Sequence, residues 1–534
     1  MSLVLDKPVS EMAGPYRYRW YALAVLCASL LVVVMANTSL IVAIPSMTED
    51  LQLTSSQLQW VIDGYTVPYA ALMLLFGALG DRLGRRRALL TGLVIFGIGS
   101  ALGSLATSTG EVIAWRLVMG IGAAVIMPAT LSLLVVTFPR AERARAIAIW
   151  AATSGLGIAL GPLLAGAMLQ QWTWHSTFLA NVGVVVVCIV AALAVVPPSR
   201  VAVSGGIDWV GGLLSILTIG GSVYAIIDGL HAGWSSGPVA AGVTALAAAA
   251  AFVWWERRHP HPLLNVRRLG ERKIGGSLLS VALLFLAAFG TIYFVAQYFQ
   301  FVFGYGPLET GIRLLPLALA VTVGSIVSGR LLPRFGERTL ITAGIAVAAV
   351  GILMLTQIGD TPDYSWFAIA ITVLGAGMGI AEPPATDAIM GGFSEEELGS
   401  AGGINDTAIE FGGALGIAVL GSVLSSSYSS SFDHSAAVIE PAQATSSAAP
   451  DISHTLEVGR ESIGSASVLA QHLGSDATTA PLAEPLTRLA QTAFTSAVET
   501  TSLIAGAMLV IGALLVGVIL PSHRKGRKVV ETKT

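Results

Sequence analysis

The sequence predicts an all-α integral membrane protein: fourteen transmembrane helices in two pseudo-symmetric six-helix bundles, with a two-helix insert between them. Three observations predict it. The composition is 54% hydrophobic and only 11% charged, with a mean hydropathy of +0.76, whereas an average soluble domain holds roughly 25% charged residues. Apolar runs of about 20 residues, the length that crosses a bilayer, recur along the whole chain. Finally, the first six runs and the last six carry matching residues at a nearly constant spacing.

Taken in order, the runs begin near Trp20, Gln57, Ala88, Val112, Ala144, Thr177, Trp209, Pro238, Gly275, Thr310, Thr339, Trp366, Ala401 and Thr495. The first, Trp20 to Pro45, is too long for the apolar core of a signal peptide and follows Arg17 and Arg19, so it reads as a spanning helix. Charge tests the count, because cytoplasmic links carry an excess of Lys and Arg. The links Ser46 to Ser56, Thr107 to Gly110, Gln170 to His175 and Gly229 to Gly237 hold no Lys or Arg. The alternate links hold Arg140, Arg143 and Arg145, then Arg200, then six bases from Arg257 to Lys273, then Arg334 and Arg338, and the C-terminal tail is basic. An even number of spans with both termini cytoplasmic follows. Glu395, Glu396 and Glu397 make the link Gly391 to Gly399 acidic, where the rule is silent.

The chain is organised around Gly77 to Leu89, where Asp81 and four arginines (Arg82, Arg85, Arg86, Arg87) sit in a link too short for a domain. A second copy lies 252 residues on: Gly77 meets Gly329, Leu79 meets Leu331, Arg82 meets Arg334, Gly84 meets Gly336 and Arg86 meets Arg338. Gly157, Gly161 and Gly166 recur as Gly412, Gly416 and Gly421 at an offset of 255, and Pro128-Ala129-Thr130 as Pro384-Ala385-Thr386 at 256. Spans one to six therefore match spans nine to fourteen. The implied units are an N-terminal bundle (1–200), an insert (201–256) and a C-terminal bundle (257–534). The last contains a long Ser/Ala/Thr-rich external loop, 425–493. Apolar residues at helical spacing there suggest short amphipathic helices near the membrane surface, or a disordered spacer. Two six-helix halves related by an axis along the membrane normal is the arrangement of major facilitator transporters.

Ionisable groups inside spans cost roughly 2.5–3.5 kcal/mol on insertion scales, so each is a functional candidate. Asp63, Arg116, Glu382, Asp406 and Glu410 qualify. Asp406 and Glu410 are spaced i, i+4 and share one face of span thirteen. Asp63 and Arg116 enter from the same side to similar depth and are expected to pair. Asp208, Asp228, Glu309 and Arg313 sit near span ends, where solvation accounts for them. Asp81 is expected beside the start of span thirteen, with Arg143 or Arg145 as its partner. The glycines of span five, with Pro162, permit close packing, expected against span eight or two. Tyr293 and Tyr298 in span nine offer rings to a lipophilic cation.

Several classes are excluded or disfavoured. The chain has no GxxxxGK[ST] loop, so ATP is not the energy source. Two cysteines, Cys27 and Cys188, both in apolar runs, are too few for a disulfide framework or metal site. His259 and His261 lack a third ligand nearby, so no metal or other cofactor is expected. Nothing points to nucleic acid or to enzymatic chemistry.

With those residues in view, the chain resembles the major facilitator superfamily, and within it the fourteen-span drug–proton antiporters. Gly77-Ala78-Leu79-Gly80-Asp81-Arg82-Leu83-Gly84-Arg85-Arg86 matches the family's loop motif between spans two and three. Arg116, Gly120, Gly122 and Ala123 match its fourth-span motif, with Met119 where Gln is common. Gly157, Gly161-Pro162 and Gly166 match the fifth-span antiporter motif, with Ala165 in place of one glycine. Trp174 to Asn181 is similar to the opening of span six in quaternary-ammonium and multidrug exporters. The resemblance implies a monomeric, proton-coupled exporter of lipophilic cations in a bacterial inner membrane. On the residue readings above, Asp63, Arg116, Asp406 and Glu410 are expected to handle protons and Glu382, Glu410, Tyr293 and Tyr298 to meet substrate, while Asp81 with its neighbours is expected to latch the conformation, as the resemblance also implies. The alternatives are an exporter of one natural product or lipid, and a non-transporting membrane scaffold or sensor. The family's usual first-span aspartate would fall at Ala36, which puts proton stoichiometry in question.

Overall fold

The computed structural model describes the chain except residues 1–14, 52, 54, 199–207, 232–234, 261, 360–362, 444–458, 461, 476–478 and 522–534. All regular structure among the described residues is helical. The first half comprises α1 (Arg19–Leu51), α2 (Ser55–Leu83), α3 (Arg85–Gly103), α4 (Thr109–Thr137), α5 (Arg140–Leu169) and α6 (His175–Val195). The insert is α7 (Trp209–His231) and α8 (Ser236–Glu256). The second half comprises α9 (Arg272–Phe301), α10 (Leu315–Phe335), α11 (Glu337–Met354), α12 (Tyr364–Met390), α13 (Leu398–Gln443) and α14 (Ala480–Ile519). Short helices at Val266–Leu269, Pro307–Arg313 and Ile463–Ser475 lie between them.

Thirteen helices among the described residues are long and apolar enough to cross a membrane. The remaining long helix is α2, 29 residues, which carries Asp63 towards one end and Asp81 and Arg82 at the other. Helices are the natural solution here, since a lipid environment offers no water to backbone N–H and C=O groups. At the head of α4, Ser108 Oγ accepts from Glu111 N (3.4 Å) and Glu111 Oε2 accepts from Thr107 N (2.7 Å), capping the helix.

The repeat is visible in the packing. Within the first half α4 packs on α2 and α3, α5 on α1, and α6 on α3 and α1; within the second half α12 packs on α10 and α11, α13 on α9, and α14 on α11 and α9. Gly84 and Gly336, one repeat apart, both take positive φ (99° and 76°) at the junctions α2–α3 and α10–α11. A left-handed backbone at the same point of both copies explains why glycine stands there twice. The halves meet through α2 on α13 and through α10 on α5, with α7 of the insert docked against α2 and α13.

The segment 425–493 departs from expectation. It does so at its two ends, where α13 runs unbroken for 46 residues to Gln443 and α14 begins at Ala480 and is 40 residues long; between them Ile463–Ser475 is a short helix with one buried face, as expected, and 444–458 lies outside the described residues. Helix Ile463–Ser475 packs on α14 and α9. Buried Tyr428 and Phe432 on the α13 extension tie it down, with Tyr428 Oη donating to Gly459 O (2.9 Å) and its ring 6.2 Å from Phe494. Cys27 and Cys188 are buried free thiols.

Candidate functional site

At the end of the bundle that carries the arginines, α2 delivers Asp81 to the first turn of α13. Gly399 N (2.6 Å) and Ser400 N (3.2 Å) both donate to Asp81 Oδ2, and Arg85 Nε donates to Oδ1 (2.8 Å). A carboxylate at a helix N-terminus is favoured by free N–H groups and by the helix dipole. The predicted neighbour is therefore in place. The predicted partners are not: Arg85, one helical turn on, takes the role assigned to Arg143 or Arg145, and Arg145 instead lies over the Trp20 ring (5.1 Å). Arg85 also donates to the Glu395 carbonyl, tying the acidic link to the same point. Glycine is required on both sides: a Cβ on Gly77 would strike the Gly399 carbonyl, and one on Gly399 the Gly77 carbonyl. Arg82 lines a small polar cleft of about 360 Å³ beside Asp81, with Arg268, Glu396 and Glu397. The second copy closes differently. Gly329 of α10 approaches Ala144 and Ala148 of α5, and Pro333 stands where the first copy has Asp81.

Half-way along the bundle the charged residues gather at the interface between the halves. Arg116, 1% exposed, donates to the carbonyls of Val61 (3.0 Å), Ala36 (3.1 Å) and Ile62 (3.4 Å). Its guanidinium lies 4.6 Å from the Tyr65 ring centroid. The Asp63 side chain lies outside the described residues, so the expected Asp63–Arg116 pair stays an expectation. Tyr65 donates to Val33 O (3.0 Å) and stacks on Tyr69 at 5.5 Å. Tyr69, 2% exposed on α2, lies on the helix that packs against α13, which carries Glu410. One turn earlier Asp406, fully buried, accepts from Asn405 Nδ2 (3.0 Å), and Asn405 Oδ1 accepts from Thr386 Oγ1 of α12 (3.2 Å). Glu382 of α12 is buried at 2% exposure and interacts electrostatically with Asp406. Glu382 Oε1 and Asp406 Oδ2 have no hydrogen-bond partner.

The structure thus gathers Glu382, Asp406 and Glu410 on the neighbouring helices α12 and α13, while Arg116 is held among first-half carbonyls. It sets the two span-nine tyrosines apart. Tyr298 is fully buried, its hydroxyl bonded to Thr495 (3.0 Å) and its ring 4.6 Å from Phe367. Phe367 is 15 residues before Glu382 on α12, or roughly 22 Å at 1.5 Å per residue. Tyr293 is 38% exposed and lies against Gly421. Tyr298 belongs to the aromatic packing of the far end.

In α5, Gly157 and Gly161 face α1 and not span eight or two: a Cβ on Gly157 would meet Val34, and one on Gly161 would meet Thr38 and Met35. Thr38 Oγ1 donates to Gly157 O (3.3 Å), which α1 can reach only because no side chain intervenes. Farther along, Gly166 abuts Leu308 and Pro162 abuts Gly311, so α5 also touches the second half at the far end. Trp174 at the head of α6 is buried, stacked on His175 (3.7 Å) and donating to Asp50 Oδ2 (2.8 Å).

Sequence reasoning missed Tyr65, Tyr69, Asn405 and Thr386. A signal existed for the tyrosines, which are i, i+4 on α2 and flank Pro68 in a span otherwise short of aromatics at that depth. It also placed Asp208 in solvent, whereas Asp208 is 3% exposed and accepts from Gly211 N (2.7 Å) and Trp255 Nε1 (3.0 Å) at the start of α7. Glu309 and Arg313 do pair near the surface, at 3.2 Å.

Comparison with known proteins agrees with this architecture. The chain is 32% identical over 519 residues to the multidrug efflux pump LfrA of Mycolicibacterium smegmatis, covering 97% of this chain and 99% of that protein. It is 34% identical over 425 residues to the puromycin resistance protein pur8 of Streptomyces alboniger, covering 78% and 84% respectively. Among solved structures, the human organic anion transporter MFSD10 superposes with a TM-score of 0.57 at 16% identity, over 76% of this chain and 93% of that one. That last likeness concerns the fold alone. The family model described as Major Facilitator Superfamily matches residues 26–417, and the chain is a member of that superfamily.

Proposed function

We propose that the protein is a proton-coupled exporter of several amphipathic, cationic small molecules, working as a monomer in a bacterial inner membrane with both termini in the cytoplasm. The observation that carries this is the set of buried acids on α12 and α13. Glu382 and Asp406 each have an oxygen without a partner in a region that two neighbouring helices share. An ionised carboxylate left so is costly at bilayer depth, and a bound proton or a cationic guest each removes the cost. Mutual exclusion of the two at one site couples export to the proton gradient with no nucleotide.

The named relatives are a multidrug efflux pump and a puromycin resistance protein, which supports export of toxic compounds in general and leaves the range to experiment. Asp63 is expected to share in proton handling with Arg116, and Asp81 to hold the basic end closed during part of the cycle. The decisive test is ethidium efflux from cells expressing the protein, with and without an uncoupler, followed by a panel of mono- and divalent lipophilic cations. Efflux that stops on uncoupling, for several of the cations, is expected. Unchanged efflux after uncoupling overturns proton coupling, and activity towards one compound only overturns the multidrug reading.

A further inference from the structure

The two-helix insert is joined to the Asp81 contact by more than the covalent chain. Helix α7 lies along the seam, packed on α2 of the first half and on α13 of the second, with Gly212 and Gly220 resting on Leu75 and Ala71 of α2. Helix α8 packs on α7, and its last residue, Glu256, is 4% exposed. The Glu256 carboxylate is seated on the first turn of α7, where a Cβ on Gly211 would strike both Glu256 Oε1 and Asp208 Oδ2. Its other oxygen, Oε2, accepts from Leu264 N (3.1 Å) in the link to α9. From there the link passes the head of α13. Leu263 O accepts from Ser400 Oγ (3.0 Å), and Ser400 N is one of the two backbone donors to Asp81. Arg268 fastens the same link to the Gly392 carbonyl and lies 3.9 Å from Glu397. Leu263, Leu264 and Val266 are buried against the bundle.

We propose that the insert sets the Asp81 contact through this link, with Glu256 as the positioning residue. The proposal rests on the reading of Asp81 as the contact that holds the basic end closed. The physical route is short. A buried backbone N–H needs an acceptor. Glu256 supplies one to Leu264, and so fixes the neighbouring Leu263 carbonyl where the Ser400 hydroxyl reaches it. Ser400 then presents its N–H to Asp81 with its side chain already held from the other side. Movement of α8 against α7 shifts Leu263, and the Asp81 contact loosens or tightens with it. A pair of helices that belongs to neither six-helix bundle thereby takes part in the cycle.

Asp208, beside Glu256, is not the relay. Its oxygens accept from Gly211 N (2.7 Å) and Trp255 Nε1 (3.0 Å), and His259 Nδ1 lies 3.5 Å away. Those groups belong to the insert and to the turn that follows it, so Asp208 braces α7 against α8 and leaves the reach to the link to Glu256.

The test is hydrogen exchange by mass spectrometry on the full-length protein in nanodiscs, read on the peptide that contains Gly399 and Ser400. Ethidium transport in proteoliposomes is the second readout. Glu256→Ala is expected to speed exchange of those amides about tenfold, the usual weight of one hydrogen bond to a charged group, and to slow transport. Glu256→Gln keeps an acceptor at the same point and stays within about twofold of wild type. Ser400→Ala cuts the link at its far end and reproduces the effect of Glu256→Ala, which keeps the test decisive if the latter folds poorly. The double variant exchanges no faster than either single one, because both break the same path. The head of α6, His175 to Asn181, exchanges as in wild type throughout. Wild-type exchange at Gly399 and Ser400 in both single variants, with Asp81→Asn still speeding it and lowering export, overturns the role of the insert and spares the reading of Asp81. Faster exchange with undiminished transport overturns the reading of Asp81 and the proposal with it. Faster exchange at α6 as well, or a loss in Glu256→Gln equal to that in Glu256→Ala, overturns the positioning role.

Discussion

Asp81 shows how much a single side chain can hold. It joins two helices 318 residues apart in sequence through two backbone N–H groups, and keeps Arg85 bonded beside them. Asparagine retains the shape and loses the charge, and helix-terminus charge contributes about 0.3–2 kcal/mol. Breaking a buried pair by removing one partner costs about 3–5 kcal/mol. Asp81→Asn should therefore lower ethidium export at least tenfold, while membrane level and ethidium binding stay within about twofold; a tenfold change corresponds to about 1.4 kcal/mol. Normal export in vesicles would remove Asp81 from the cycle. Glu410 makes a different prediction, because a count of charges and not a contact is at stake. Glu410→Gln should impair export of divalent lipophilic cations more than monovalent ones, measured as initial efflux rates on matched pairs. Equal loss for both would speak against charge counting.

At the scale of elements, the α1–α5 pair is the tightest test of the glycine pattern. A side chain at 161 would lie 3.0 Å from Met35 O and Ser39 N and would displace Thr38. Overpacking of this kind typically costs about 1–3 kcal/mol. Gly161→Val should lower the melting temperature in detergent by several degrees, whereas Gly110→Ala, where a Cβ meets nothing within 4 Å, should leave it unchanged. Much of this level was legible in the sequence. Apolar runs mark where helices cross, and repeated glycines mark where they touch, because both follow from local composition. What stayed hidden depends on which helix comes alongside. Span five's glycines announce a close neighbour but not that it is α1. Tyr298 reads equally well as a ligand-facing ring or a packed one until Phe367 and Phe494 are placed against it. The segment 425–443 contains neither an apolar run nor, before Pro441, a proline, so nothing in it announced that α13 would continue. Arg85 could have been preferred over Arg143 as the Asp81 partner on i, i+4 spacing alone.

At the scale of the molecule, α13 is one rod that carries the Asp81 contact at Gly399, the acids at Asp406 and Glu410, and the far-end aromatic anchor at Tyr428 and Phe432. At 1.5 Å per residue, Gly399 lies roughly 16 Å from Glu410 on one side and Tyr428 roughly 27 Å on the other. The far arm is thus about 1.6 times the near one, and a tilt about the acids moves the Tyr428 end farther than the Gly399 end in that proportion. Mechanically the helix is a lever of unequal arms with its fulcrum at the buried acids. A small displacement beside the acids appears as a larger excursion at the Tyr428 end, and a load on that longer arm returns a magnified force on the Asp81 contact.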